Sequence, residues 1–478
     1  MERAISPARA ASPIFSTLMP LLDPADPRPI HLVGIAGAGM SALAELFTLR
    51  GIRVTGCDAH PENAPDLVAR GIPVCAGHSP DHVRGSRALV VTSAMPKDHP
   101  EILRARELGV PVIRRAEALG EVTSGAMLVG VAGTHGKSTT TVLTTEALAA
   151  AGMDPTGYVG ARVSSWNGNL RAGRVDRFVV EADEYDRSFL ALAPTVAVVT
   201  NVEADHMDIY ADLDDLQRAF AQFVRGARYV VLCADDPGAN RLRTPPTAEV
   251  IRYGLTSVDA RLRAANLRRD GLGSRFMVVY DGKELGEVSI AVPGEHNVRN
   301  ALAALGVGLG LGLTVEQMAP GIAAFRGVER RFQLLGEAGQ VLVVDDYAHH
   351  PTEVRATLRA ARSAAPDRRL VVAFQPHLFS RTRDLAREFA DALGEADEVF
   401  LLDIYPARER PIAGVTSDLV ADAMRTNGRA PAWRGGRDAL AAALAPKVRA
   451  GDLVITMGAG DVTRCGPELL RSLSRTAP

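Results

Sequence analysis

Three α/β segments in series, each built on a largely parallel sheet with flanking helices, are the fold class this sequence predicts. Three observations predict it. Short β-branched apolar runs alternate with helical stretches along nearly the whole chain. Most of these runs end in a glycine, a carboxylate or another polar cluster. Strands that feed crossover helices pair in parallel and are buried on both faces, which explains continuous rather than alternating apolar runs. The third observation is length. A chain of 478 residues exceeds what one hydrophobic core organises, and about three domains is the natural expectation.

The first segment begins at Ile30 with a strand, a glycine loop and a helix in "IHLVGIAGAGMSALAELFTLRG", followed by "IRVTGCD". "ALVVTSA" (Ala88–Ala94) is another buried strand, and "VPVIRRAEALGEV" closes this Rossmann-like part. The second opens with "GAMLVGVAGTHGKSTTTVLTTEALAAAG", a strand running through a phosphate-type loop into a helix. "DRFVVEADEYD", "PTVAVVTNVEADHMD" and "ARYVVLCADD" continue it as strands with polar ends. Alternation in "SRFMVVYDG" and "GEVSIAV" predicts a small antiparallel part between Arg252 and Val292. "PGEHNVRNALAALGVGLGLG" reads as a helix with Asn at its start. The third segment is again Rossmann-like, with strands in "QVLVVDDYA", "RRLVVAFQP", "ADEVFLLDIYP" and "GDLVITMGAGD". The expected divisions are a loose tail over 1–29, then domains over 30–123, 124–335 and 336–478.

Composition narrows the function classes. Apolar residues make up 47% and charged residues 23%, as in a soluble globular protein. A formal charge of −2 gives no nucleic-acid or membrane footprint. No apolar run is long enough to span a bilayer. Cys57, Cys75, Cys233 and Cys465 are scattered without a CxxC, which counts against a zinc motif or a disulfide framework and suits a reducing cytoplasm. Pro20 interrupts the apolar stretch near Ile14–Leu22, so the tail makes a poor signal-peptide core.

The loop at Gly133–Thr140 carries the strongest chemistry. Successive backbone N–H groups at a helix N-terminus cradle phosphates, a Lys neutralises the outer ones and a hydroxyl ligates Mg²⁺. Gly136, Lys137 and Ser138 fit the end of that pattern. The usual first glycine would fall at 131, where this chain has Val131, and Gly133 takes over in a variant G-T-H-G-K-S-T. A lysine in the first turn of an ordinary helix is the plainer alternative. A strand before, a helix after and hydroxyls at 138, 139 and 140 favour ATP. Glu181, Asp183, Glu184 and Asp186 follow one strand, and Asp205, His206 and Asp208 follow another. Taken singly, such acids are solvated loop charges. At successive strand ends behind a phosphate loop they suit Mg²⁺, because ligands bind at the C-terminal ends of parallel strands.

The order "HLVGIAGAGMSALA", "GTHGKSTTT", "EADEYDRSF", "NVEADHMD", "PGEHNVRNALAA", "GVERRFQ", "DDYAHHPTE" and "FQPHLFSRT" resembles the Mur ligase family over residues 30–470. That family makes amide bonds in the bacterial cell-wall precursor. The resemblance implies an ATP- and Mg²⁺-dependent ligase joining L-alanine to UDP-N-acetylmuramate. It implies a cytoplasmic monomer or homodimer with no nucleic-acid or membrane partner.

It also implies roles. Gly34, Gly37, Gly39 and Met40 would bind the UDP-sugar, with Asp58 and Ser93 nearby. Glycines let backbone approach a diphosphate, while Asp58 reads equally as a ribose acceptor or a turn aspartate. Gly133, Thr134, His135, Gly136, Lys137, Ser138 and Thr139 would hold ATP phosphates. Asn297 and Asn300, one helical turn apart, would face adenine, although Asn297 is equally a helix cap. Of Arg330 and Arg331, Arg331 is favoured for the phosphates, together with Asp346. Ser138, Glu181 and His206 would hold metal. Tyr347, His349 and His350, before the helix-starting Pro351, would receive the amino acid. His377 and Arg381 would reach the UDP-sugar, with Thr382 beside them. Lys137, His206, Arg331 and His350 are the expected catalytic groups, and His206 or a neighbouring histidine would take the amine proton. Two positions depart from the family pattern. Some members carry Arg at Leu378 and Gly at Arg408, and no role is carried to Arg408.

Other readings predict other behaviour. A related ligase would add a recycled peptide to the same UDP-sugar. A P-loop ATPase or kinase would release ADP without an amino acid. A sensor would bind the sugar nucleotide without turnover. A Rossmann dehydrogenase would not need the phosphate loop.

Overall fold

The computed structural model describes residues 21–23, 25–93, 95–407 and 409–476. Most of the expected N-terminal tail, the strand end expected at Ala94, and Arg408 lie outside the described residues. The chain forms two compact units that divide after Val122.

The first unit holds one parallel sheet of β1 (Ile30–Val33), β2 (Val54–Asp58), β3 (Val74–Ala76), β4 (Ala88–Val91) and β5 (Val112–Arg114), in the order β3-β2-β1-β4-β5. The order reverses at β1, so the crevice of this Rossmann-like sheet opens at the C-terminal ends of β1 and β4. The glycine loop runs from there into the helix Ala38–Leu49.

In the second unit a ten-stranded sheet runs β15-β14-β13-β12-β11-β10-β6-β9-β7-β8. Its strands are β6 (Met127–Ala132), β7 (Pro155–Val163), β8 (Gly168–Arg171), β9 (Arg174–Glu181), β10 (Val196–Val199), β11 (Tyr229–Cys233), β12 (Glu249–Gly254), β13 (Leu262–Asp270), β14 (Gly273–Tyr280) and β15 (Lys283–Ile290). β6 lies between β10 and β9 and pairs in parallel with both. β13, β14 and β15 form the expected antiparallel part. A second hairpin, β7 with β8, was not legible in the sequence pattern.

The same unit holds a six-stranded sheet, β16-β17-β21-β18-β19-β20. Its members are β16 (Gln333–Ala338), β17 (Val341–Asp346), β18 (Leu370–Phe374), β19 (Glu398–Leu402), β20 (Trp433–Gly435) and β21 (Leu453–Met457). Only β16 is antiparallel to its neighbour. Val343, Val371 and Ala373 pack to one side of this sheet and Val344, Leu370 and Val372 to the other. Both faces are covered, so its strands read as unbroken apolar runs.

Candidate active site

Strand β6 explains the displaced glycine. Val131 is fully buried within the strand and pairs with Glu181, so the loop starts only after Ala132. Gly133 has φ +138° and Gly136 has φ +80°, conformations open to glycine and strained for other residues. A Cβ on Gly133 would also collide with Thr200. The loop ends at the helix Lys137–Ala150, whose N-terminal residues Ser138 and Thr139 line the adjoining cavity.

The loop side chains are already committed. Lys137 Nζ donates to Gly133 O at 2.7 Å and to Thr134 O at 3.2 Å. It lies 2.8 Å from Glu184 Oε2. Burial works against the ammonium, but Glu184 and Asp183 outweigh it and raise Lys137 to about 12. Burial also raises the Glu184 carboxyl, against the pull of Lys137. Ser138 Oγ donates to Glu181 Oε1 at 2.9 Å, while Gly160 N donates to Glu181 Oε2 at 2.6 Å. Thr134 and Glu203 exchange hydrogen bonds, and His135 N donates to Asn201 Oδ1 at 2.7 Å. The ends of β6, β9 and β10 therefore meet, as a parallel sheet requires.

His206 follows β10 with φ +57°, and its Nε2 stands 3.6 Å from Glu184 Oε1. Burial lowers its basicity, against the pull of the Asp205 carboxylate. Asp205 accepts from Arg381 Nη2 at 2.7 Å. Burial opposes ionisation of Asp205, yet Arg381 and then His206 hold its carboxyl far below the usual carboxylate range. Asp183 accepts from Tyr185 N, and Asp208 is exposed.

A cavity of about 330 Å³ adjoins the loop. His135, Gly136, Ser138 and Thr139 line one side, and Asn297, Asn300, Arg331 and Asp346 line others. Asn300 Oδ1 would lie 2.9 Å from a Cβ on Gly136. Asn297 is not the helix cap. The helix Glu295–Gly310 starts after Gly294, and Asn297 Nδ2 donates to Pro293 O at 2.7 Å. Gly294, at φ +97°, makes the turn that an asparagine cap would otherwise have made. Asn300 Nδ2 donates to Asn297 Oδ1 at 3.2 Å, so the two amides do share a face.

Arg330 and Arg331 part company at the last domain. Arg330 donates to the carbonyls of Gly458 and Gly460, whereas Arg331 faces the cavity and lies 3.5 Å from Glu353. Both guanidinium groups lie over the Tyr347 ring. Asp346 accepts from Phe332 N and Ala348 N, each at 2.8 Å. Burial raises it to about 6 against the pull of Arg331. His350 caps the helix Pro351–Ala364 and is held near 4 by burial and then His135. His349 Nδ1 lies 3.1 Å from Glu353 Oε2. The His349 and His377 rings are 5.8 Å apart, and His377 stacks on Tyr405. Arg381 is buried against Asp205, with Thr382 behind it. Leu378 precedes them at φ +70°.

In the first unit, Gly34 has φ +73° and Gly37 caps the helix Ala38–Leu49. The Arg115 guanidinium packs over Gly39, so a side chain there would have to displace it. Asp58 accepts from Ala36 N and His60 N, each at 2.9 Å, and so braces the glycine loop itself. Ser93 is exposed just beyond β4. Met40 is 1% exposed: its side chain belongs to the core, because helix position and apolar chemistry turn it inward from the loop.

Three family models match along the chain: "Mur ligase family, catalytic domain" over residues 29–126, "Mur ligase middle domain" over 131–308 and "Mur ligase, glutamate ligase domain" over 330–460. A Streptomyces coelicolor protein named UDP-N-acetylmuramate–L-alanine ligase is 45% identical, over 96% of this chain and 100% of its own. The chain belongs to the Mur ligase family. Another Mur ligase of that name, from Salinibacter ruber, is 43% identical over 94% of this chain and 96% of its own. Among solved Mur ligases, the UDP-N-acetylmuramate–alanine ligase of Thermotoga maritima superposes with a TM-score of 0.81 at 28% identity, covering 94% of this chain and 100% of that one. A murein peptide ligase from Psychrobacter arcticus shares the fold, with a TM-score of 0.69 at 24% identity, over 94% of this chain and 100% of that one.

Several polar residues of this Mur ligase had no role assigned from the sequence. Glu203 and Glu353 flank His135 at 3.5 and 3.3 Å, from different sheets of the second unit. Burial would lower His135, but the two carboxylates prevail and raise it to about 9. His296, Asp235 and Arg299 also line the cavity, and Arg299 donates to Asp235 at 2.8 Å. Glu353, three residues after His350, was the one within reach of motif reading.

Proposed function

We propose that this Mur ligase joins L-alanine to the lactyl carboxylate of UDP-N-acetylmuramate with cleavage of ATP, giving UDP-N-acetylmuramoyl-L-alanine, ADP and phosphate. The observation that carries this reading is the convergence of the phosphate loop, the Asn297–Asn300 amides and the Arg331–Asp346 pair on one cavity. The names of the full-length relatives supply the acceptor and the amino acid.

The amides of Asn297 and Asn300 offer donors and acceptors to adenine, and the loop N–H groups with Lys137 take the phosphates. A hydroxyl and a carboxylate oxygen 2.9 Å apart fit a hard cation, so Ser138 and Glu181 would hold Mg²⁺, with His206 near it. Mg²⁺ supplies charge neutralisation on the phosphates when bound. The glycine loop of the first unit takes the UDP diphosphate.

The lactyl carboxylate oxygen attacks the γ-phosphorus, ADP leaves and an acyl phosphate forms. Lys137 and Arg331 stabilise the charge that develops on the transferred group. The neutral amine of L-alanine then attacks the acyl carbon, and inorganic phosphate departs. His206 or a neighbouring histidine would accept the proton the amine loses, and burial of His206 favours its neutral form. Tyr347, His349 and His350 form the wall against which the amino acid would sit. The reaction belongs to the cytoplasm, where ATP is made available; no helix among the described residues is long and apolar enough to cross a membrane.

ADP release measured with UDP-N-acetylmuramate and a panel of amino acids tests the reading. Turnover should require both substrates and be highest with L-alanine. Preference for a tripeptide would make the chain a recycling ligase, and equal ADP release with either substrate omitted would make it a plain ATPase.

A further inference from the structure

The first unit gathers six metal-ligating side chains that the ligase reaction does not use. His31 on β1 pairs in register with Thr55, and Val33 with Cys57, so His31 and Cys57 share a face of the sheet. The short helix Pro80–Val83 lays His82 over that face, and the first turn of the helix Pro100–Glu107 adds Glu101. Cys57 Sγ lies 3.2 Å from Glu101 Oε1, and His82 Nδ1 lies 2.8 Å from the same oxygen. One donor atom each from His31, Cys57, His82 and Glu101 falls within 4.8 Å of all the others. His78 and His99 flank Glu101 Oε2 at 3.7 and 3.8 Å.

We propose that His31, Cys57, His82 and Glu101 form a four-coordinate site for a zinc-type divalent cation, separate from the Mg²⁺ of the ligase reaction. The donor set is nitrogen, sulfur, nitrogen and oxygen, which selects a borderline-soft ion over Mg²⁺. Zn–N and Zn–S bonds of about 2.0 and 2.3 Å place tetrahedral donors roughly 3.3–3.5 Å apart, so the site closes with small side-chain movements. His31 is 1% exposed, and its Nε2 has no hydrogen-bond partner among the described residues. Its other nitrogen, Nδ1, is 2.9 Å from Thr55 Oγ1, the second contact that orients a metal-bound imidazole. Cys57 and Glu101 are fully buried. A hydrogen-bonded network alone satisfies Glu101, through Ser79 N, Cys57 and His82, but leaves His31 Nε2 unserved.

Metal binding would release the Cys57 proton to solvent as the thiolate forms. Cysteine spacing spoke against a zinc motif because it counts thiols along the chain. These donors meet only through strand register and two short helices. The ion would tie β1, β2 and two connecting helices into one piece.

Cobalt(II) titration of the full-length, chelator-treated protein without ATP gives the test. We expect about one tightly bound Co²⁺ per chain, tetrahedral visible absorption and a thiolate-to-metal charge-transfer band, all displaced by Zn²⁺. Cys57→Ser should abolish the charge-transfer band, while Cys75→Ser, at an exposed thiol, leaves it intact. His82→Gln should weaken binding at least about tenfold and remove the Zn²⁺-dependent rise in unfolding temperature. Absence of a thiolate band in the wild-type protein, or its persistence in Cys57→Ser, overturns the proposal. Should Cys57→Ser not fold, unchanged Co²⁺ affinity in His82→Gln overturns it alone.

Discussion

Arg381 Nη2 lies 2.7 Å from Asp205 Oδ1, and both side chains are nine-tenths buried. One comes from the helix Phe379–Asp384 that follows β18, the other from the loop after β10. This ion pair joins the two sheets of the second unit beside His206. Removing one member of a buried pair strands the other charge, at a cost of about 3–5 kcal/mol. Asp205→Asn should therefore lower the unfolding free energy of the second unit, read from urea titration, by an amount in that range. Adding Arg381→Met should recover part of the loss. A double variant no more stable than the single one would mean the pair is not coupled.

Lys137→Ala should reduce ADP release at least about a hundredfold, the scale for losing one donor to developing negative charge. Calorimetry should show UDP-N-acetylmuramate binding retained, since the glycine loop of the first unit is untouched. The substitution also leaves Glu184 buried without its ammonium. Glu184→Gln in the same chain should restore thermal stability without restoring turnover.

Glu181→Gln keeps the shape of the side chain and can still accept from Ser138, but it removes the carboxylate charge. The Mg²⁺ concentration for half-maximal rate should rise about tenfold or more, with a lower maximal rate. An unchanged Mg²⁺ requirement would move the metal away from Ser138 and Glu181.

His135 gives the pH dependence. Burial disfavours its charged form, but Glu203 and Glu353 win and raise it from 6.5 to about 9. A folded value above the unfolded one means that protonation favours the folded state. The contribution is complete below about pH 6.5 and disappears as pH rises through about 9. At 1.36 kcal/mol per unit it amounts to about 3 kcal/mol. Denaturant unfolding across pH 6–9.5, without nucleotide, should show this fall in wild type and a flatter profile in His135→Gln.

The phosphate loop, the carboxylate ends of β9 and β10, and the start of the helix at Pro351 were legible because they are local. A strand, a glycine turn and a helix cap are each set by neighbouring residues. Gly294 displaced Asn297 as cap because a glycine at φ +97° turns the chain one step earlier. Asp58 reads as a possible ribose acceptor in sequence, yet its carboxylate oxygens serve the N–H groups of Ala36 and His60. Partners brought from far along the chain left no local trace. Glu203 and Glu353 around His135, and Asp205 against Arg381, meet only when two sheets pack. The hairpin of β7 and β8 was hidden for a related reason: its residues 155–159 are mostly buried and do not alternate.

Lys137 has one more property. An amine close to a mixed carboxylic–phosphoric anhydride is a target for acylation, and an enzyme that makes such an anhydride risks modifying itself. Only the neutral amine is nucleophilic. With Glu184 and Asp183 holding Lys137 at about 12, the neutral fraction at pH 7 is on the order of 10⁻⁵. In the proposed reaction the lysine would attract phosphate as a cation while remaining chemically inert toward the anhydride. L-alanine, arriving with an amine that can be deprotonated, is left as the nucleophile.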